Sequence, residues 1–153
     1  MSLAPLTGDR AEAPDPVRIR VVAAGAAVVT VGAGLGLRAV TAGSVAKYGG
    51  DALYTVLLLA LVVLLAPRWT PLRAAGTALA VSWAVEFFEL GPVPAELSRD
   101  NVAARLVLGS TFNAPDLFWY AIGAAGGWGL HTAMVRRRRV TAGPPPAGET
   151  PHT

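Results

Sequence analysis

The chain has 153 residues, enough for one domain, with 53% hydrophobic and only 15% charged. A soluble domain carries about 25% charged residues, and a core this small cannot hide the excess apolar surface, so that surface has to meet lipid. The absence of cysteine excludes disulfides, thiolate metal sites and cysteine nucleophiles. The net charge of +3 is concentrated in Arg136 to Arg139, directly after an apolar run, which suits a cytoplasmic membrane anchor and not a nucleic-acid face.

Residues 1–16 are polar and proline-bearing, and read as a disordered cytoplasmic leader. Four hydrophobic segments follow, each near the roughly 20 residues that a membrane-spanning helix needs. The first, 17–40, is free of charge from Val21 to Leu37. That run exceeds the usual 7–15 residues of a signal peptide, and Arg38 lies before the small-residue site at Val40 and Ala42, so the segment reads as a retained span. The second, 50–66, contains YTVLLLALVVLLA and stops at Pro67, with Trp69 placed as an interfacial aromatic. The third, 71–90, opens on Pro71 and is stopped by Gly91 and Pro92. The fourth, 116–135, follows Pro115, and residues 136–153 form a basic, proline-rich cytoplasmic tail. The fold expected is all-α, an integral membrane bundle of four helices.

Between the third and fourth spans, Leu97, Val102, Leu106 and Val107 alternate with Arg99, Asp100 and Arg105. This spacing predicts a short helix lying in the interface. Orientation follows from Lys and Arg. Both termini and the middle loop share one side, which holds Arg10, Arg18, Arg20, Arg68, Arg73 and Arg136 to Arg139. The other side holds Arg38, Lys47, Arg99 and Arg105, so the termini are expected in the cytoplasm. Gly32 and Gly36, and Gly123 and Gly127, form two G-x-x-x-G patterns, expected to be packing seams within the molecule.

All four spans bring charge to the outer end. Arg38 ends the first, Asp51 opens the second, Glu86 and Glu89 lie late in the third, and Asp116 opens the fourth. A charge at a helix centre costs about 2.5–3.5 kcal/mol on insertion scales. Glu86 therefore has to face the bundle or a wet cleft and find a cation or a proton, the available cations being Arg38, Lys47, Arg99 and Arg105. Asp51 and Asp116 also suit the positive ends of helix dipoles. His131 lies far from this cluster, and neither histidine has a partner set for a metal site.

The stretches GLR (36–38), KYGGDALY (47–54), VEFFEL (85–90) and RLVLGSTFNAPDLFWYAIG (105–123) resemble a bacterial family of small integral membrane proteins, the YjgA-type domain of unknown function, over residues 30–130. More distantly the layout is similar to VanZ-type proteins, one branch of which is linked to glycopeptide resistance. The resemblance implies an Arg ending helix one, a Gly-Asp opening helix two, and a signature whose tyrosine is Tyr120. It also implies glutamine where this chain has Glu89. No defined reaction comes with either family.

The expected function is accordingly a membrane protein without an assigned reaction. Its outward polar cleft would bind an envelope lipid or lipid-linked glycan head group through Arg38, Arg99 and Arg105. Lys47, Asp51, Glu86, Asp116 and Tyr120 would complete the cluster, with no cofactor, metal or nucleic acid. Two other readings fit the same residues. One is an enzyme acting on a lipid-linked substrate with Glu86 or Asp116 as acid/base, and the other is a small proton-coupled transporter.

Overall fold

The structure, a computed structural model, describes residues 15–90 and 112–141. Four helices account for nearly all of them: α1 Pro16–Val40, α2 Gly43–Leu65, α3 Pro71–Phe88 and α4 Ala114–Thr141. Among the described residues there is no strand. By length and composition, α1 and α2 qualify to cross a membrane. The leader, the expected interfacial helix and most of the tail lie outside the described residues.

Local chemistry sets the helix ends. Asp15 caps α1 by accepting from the Val17 N–H at 2.9 Å, and Pro16 supplies a preset backbone angle at the first position. Thr70 caps α3 in the same way, ahead of Pro71. At the end of α1 the Thr41 N–H still reaches Leu37 O at 2.9 Å, and the chain reverses at once into α2 through Gly43, whose φ of 64° favours glycine.

Two helices differ in their bounds from the hydrophobicity pattern. α2 begins at Gly43 and not at Gly50, and α4 begins at Ala114 and continues through the arginines to Thr141. The polar turns of α2 stay helical because Gly49 packs against Leu37 and Tyr48 stacks on Trp119. Arginine is a good helix former, so nothing in residues 136–139 stops α4. Hydrophobic runs mark where a helix meets lipid. Packing and capping decide where it ends.

α2 is the central element, packed against α1, α3 and α4, while α3 and α4 also pack on each other. Neighbours in sequence run antiparallel. Arg20, early in α1, donates from Nε to Leu64 O at the end of α2 at 3.2 Å, capping an orphan carbonyl. α2 and α4 run parallel, with Gly123 against Ala52 and Gly127 against Leu59 and Val56. A Cβ at Gly123 would collide with the Ala52 carbonyl oxygen and sit 3.0 Å from its Cα, so this G-x-x-x-G is a close-approach seam as expected. The pattern in α1 is not. Gly32 and Gly36 have nothing within 4 Å of a built Cβ. On α1 the less exposed positions Ala23, Ala27, Thr30, Gly34 and Leu37 follow the 3- and 4-residue spacing of a helix–helix seam, and Leu37 meets Gly49 of α2.

The interior reverses the ordinary arrangement. The largest fully buried side chains are Glu86, Thr55 and Ser82, with Glu86 1% exposed, whereas Val28 is 72% exposed. The apolar core is a small cluster of Leu59, Ala74, Ala75 and Ala78, bordered by Leu58, Val62 and Val63. Exposed valines and leucines thus surround polar interior contacts.

Candidate functional site

The N-terminal turns of α2 and α4 and the C-terminal turns of α1 and α3 meet at one end of the bundle, the acidic end. Lys47 and Asp51 lie one turn apart on α2 and form an ion pair at 3.5 Å. The Lys47 Nζ also donates to Asp116 Oδ2, so one ammonium bridges α2 and α4. The Lys47 side chain is 45% exposed, while that of Asp116 is 7% exposed. Asp51 Oδ2 is buried and, among the described residues, accepts no hydrogen bond, its contact with the Lys47 ammonium being the 3.5 Å ion pair.

Beneath this ion-pair layer lies one built on neutral donors. Asn113 precedes the first residue of α4, and its Nδ2 donates to Asp116 Oδ1 while the Asp116 N–H returns to Asn113 O at 2.9 Å. The Asn113 backbone N–H is one of the orphan donors of a helix start. In a capping box the carboxylate three residues on would accept it. Here Asp116 is occupied by Lys47 and the Asn113 amide, and the N–H goes to Glu86 Oε1 on α3 at 2.6 Å. Tyr120, one turn into α4, donates its hydroxyl to Glu86 Oε2 at 3.0 Å. Both oxygens of Glu86 are thus acceptors for α4.

One further turn inward, about 6 Å along the axis, the Thr55 and Ser82 hydroxyls meet at 2.9 Å. Ser82 donates to Ala78 O at 3.0 Å, so Thr55 supplies the proton between them. The polar column stops there, against Leu59 and Ala78. At its mouth Tyr48 and Trp119 stack with centroids 5.5 Å apart, and Lys47 Nζ sits 5.6 Å from the Tyr48 ring.

Five of the expected residues, Lys47, Asp51, Glu86, Asp116 and Tyr120, therefore come together. Arg38 does not. It is exposed on the last turn of α1, and among the described residues no hydrogen bond or ion pair reaches it. Arg99 and Arg105 lie outside the described residues. Among the described residues the donors that reach Glu86 are two neutral ones, the Asn113 N–H and the Tyr120 hydroxyl, while Lys47 is held by the aspartates. Glu89 stands at the C-cap of α3. Sequence reasoning missed Asn113, Thr55, Ser82 and the Tyr48–Trp119 stack. Their signals were present as Asn-x-x-Asp at the start of α4 and as polar pairs four apart, Asp51/Thr55 and Ser82/Glu86. Among the described residues no group of three or more His, Asp or Glu could hold a metal ion.

A family model described as a protein of unknown function (DUF2809) matches residues 40–124, more than half of the chain. This chain belongs to the DUF2809 family. The matched region contains α2, α3 and the first turns of α4, and with them every residue of the acidic-end site, while nearly all of α1 lies before it. A family of unknown function is what the resemblance implied, but nothing in the match supports the narrower YjgA-type or VanZ-type naming. No curated protein and no solved structure matches the chain.

Proposed function

We propose that this DUF2809 protein is a multi-pass protein of the bacterial plasma membrane with both termini in the cytoplasm. Its acidic end, facing outward, binds the head group of an envelope lipid or lipid-linked glycan. The observation that carries this reading is the half-exposed Lys47 ammonium, held between Asp51 and Asp116 beside the Tyr48–Trp119 stack. The three parts fit a glycosyl phosphate. The Asp51 carboxylate, whose side chain is 20% exposed, accepts a sugar hydroxyl, the aromatic pair offers a face for the ring, and the ammonium meets the phosphate. Lys47 takes the role expected of Arg38.

Binding fits the geometry better than catalysis. A general acid or base has to reach the substrate, whereas Glu86 is 1% exposed with both oxygens engaged, and Asp116 is tied to Lys47 and Asn113. Transport is disfavoured because Leu59, Ala74, Ala75 and Ala78 pack solidly below the Thr55–Ser82 pair.

The test is mass spectrometry of the lipids that co-purify with the wild type, Lys47→Gln and Asp51→Asn in mild detergent. A lipid with a sugar or phosphate head group should be retained by the wild type and depleted about tenfold in both variants, on the loss of one charged contact. Identical lipid profiles from three equally folded proteins would reject the reading.

A further inference from the structure

The opposite end of the bundle is as one-sided in charge as the acidic end is crowded. α1 brings Arg18 and Arg20 there, and the turn into α3 brings Arg68 and Arg73, all four exposed. α4 adds Arg136, Arg137 and Arg138 in its last turns. Among the described residues the acid at this end is Asp15, and it is engaged in capping α1.

Helix lengths place these charges at one level. α4 has 28 residues, about 42 Å at 1.5 Å per residue. A hydrocarbon core is about 30 Å thick, so with Ala114 near one boundary the arginine turns stand at the other boundary and beyond it. Trp69, 46% exposed and beside Arg68, lies where an indole meets head groups. The Arg20 hydrogen bond to Leu64 O keeps one guanidinium against the rim of α2 instead of leaving it free in water. Three consecutive arginines on a helix point about 100° apart, so those of α4 spread over about 200° of its circumference and not over one narrow face.

We propose that this arginine end is a binding surface for anionic phospholipid, the partner being a phosphodiester head group with net negative charge in the facing leaflet. The inference rests on the membrane reading above but not on any ligand at the acidic end. Guanidinium groups pair with phosphate oxygens in fork geometry. A polybasic rim next to a hydrophobic belt selects phosphatidylglycerol over phosphatidylcholine by charge, since the acyl chains make the same contacts.

Native mass spectrometry of the full chain in detergent tests it, with phosphatidylglycerol and phosphatidylcholine of identical acyl chains added in equal amounts. Retention of phosphatidylglycerol should exceed that of phosphatidylcholine, and 0.5 M salt should weaken the preference. The triple variant Arg136→Gln, Arg137→Gln, Arg138→Gln should lower it by about fivefold per arginine removed at low ionic strength. Glutamine preserves helix propensity, so the variant keeps α4. Arg38→Gln, at the acidic end, should leave the preference unchanged. Equal retention of both lipids, an undiminished preference in the triple variant, or equal competition by free inorganic phosphate would overturn the proposal. If neither lipid is retained and the protein stays dispersed without detergent, the membrane reading falls with it. Loss of lipid selectivity in a protein that still needs detergent defeats only the present inference.

Discussion

Glu86 joins α3 to α4 through two neutral donors, and its neighbours explain why. Among the described residues the cation that enters the cluster is Lys47, which the aspartates hold. What remains for Glu86 is the orphan N–H of Asn113 and the hydroxyl of Tyr120. Removing the carboxylate would leave both donors buried without acceptors, at about 1–3 kcal/mol each. Glu86→Ala is therefore expected to cost about 3 kcal/mol in detergent unfolding titrations. Glu86→Gln should cost about 1 kcal/mol, because the Tyr120 hydroxyl can turn and accept from the new amide. Equal losses would mean that the two hydrogen bonds contribute nothing specific. The polar residues of this site were readable as types, but their pairing was not. Which acid takes Lys47 depends on α2 and α4 lying side by side, and no local spacing encodes that.

At the scale of elements, the two G-x-x-x-G patterns look alike in sequence and behave differently in the fold. Gly123 faces the Ala52 backbone, whereas Gly32 faces open space. Gly123→Ala should destabilise the protein by about 1–3 kcal/mol through overpacking against a backbone that cannot give way. Gly32→Ala should be neutral or slightly stabilising through helix propensity, and unfolding midpoints of the pair would check the contrast. The Thr55–Ser82 contact between α2 and α3 is weaker than its burial suggests. A double-mutant cycle with Thr55→Val and Ser82→Ala should give a coupling near 0.6 kcal/mol, the average for such pairs in lipid. Ser82 keeps Ala78 O as acceptor when Thr55 is lost. Among the described residues the helices and their order were legible in the hydrophobic runs, Pro67, Pro71 and Pro115. The extra turns of α2 were not, because the contacts with Leu37 and Trp119 that hold them come from other helices.

The described residues together present an apolar exterior with a buried polar column at one end and arginines at the other. On the membrane reading proposed above, this polarity would set a direction across a bilayer, and the cysteine-free chain makes it easy to test. Ser44, exposed at the acidic end, and Thr153, at the C-terminus, serve as labelling points. In intact cells a membrane-impermeant maleimide should label Ser44→Cys and spare Thr153→Cys, which should react only after lysis. The opposite pattern would reverse the orientation and place the polar site in the cytoplasm.

By itself the sequence determined the helical class, the count of apolar segments, the segregation of charge and the choice of residues able to carry chemistry. These follow from composition and from short-range periodicity, which act within one segment. Only the tertiary structure decided that Lys47 and not Arg38 enters the cluster, that Glu86 binds α4 through neutral donors, and that one glycine pair packs while the other does not. Those outcomes depend on which helix faces meet. A face becomes interior only when a neighbour covers it, so the same residue type ends as site, seam or lipid-facing surface according to its partners.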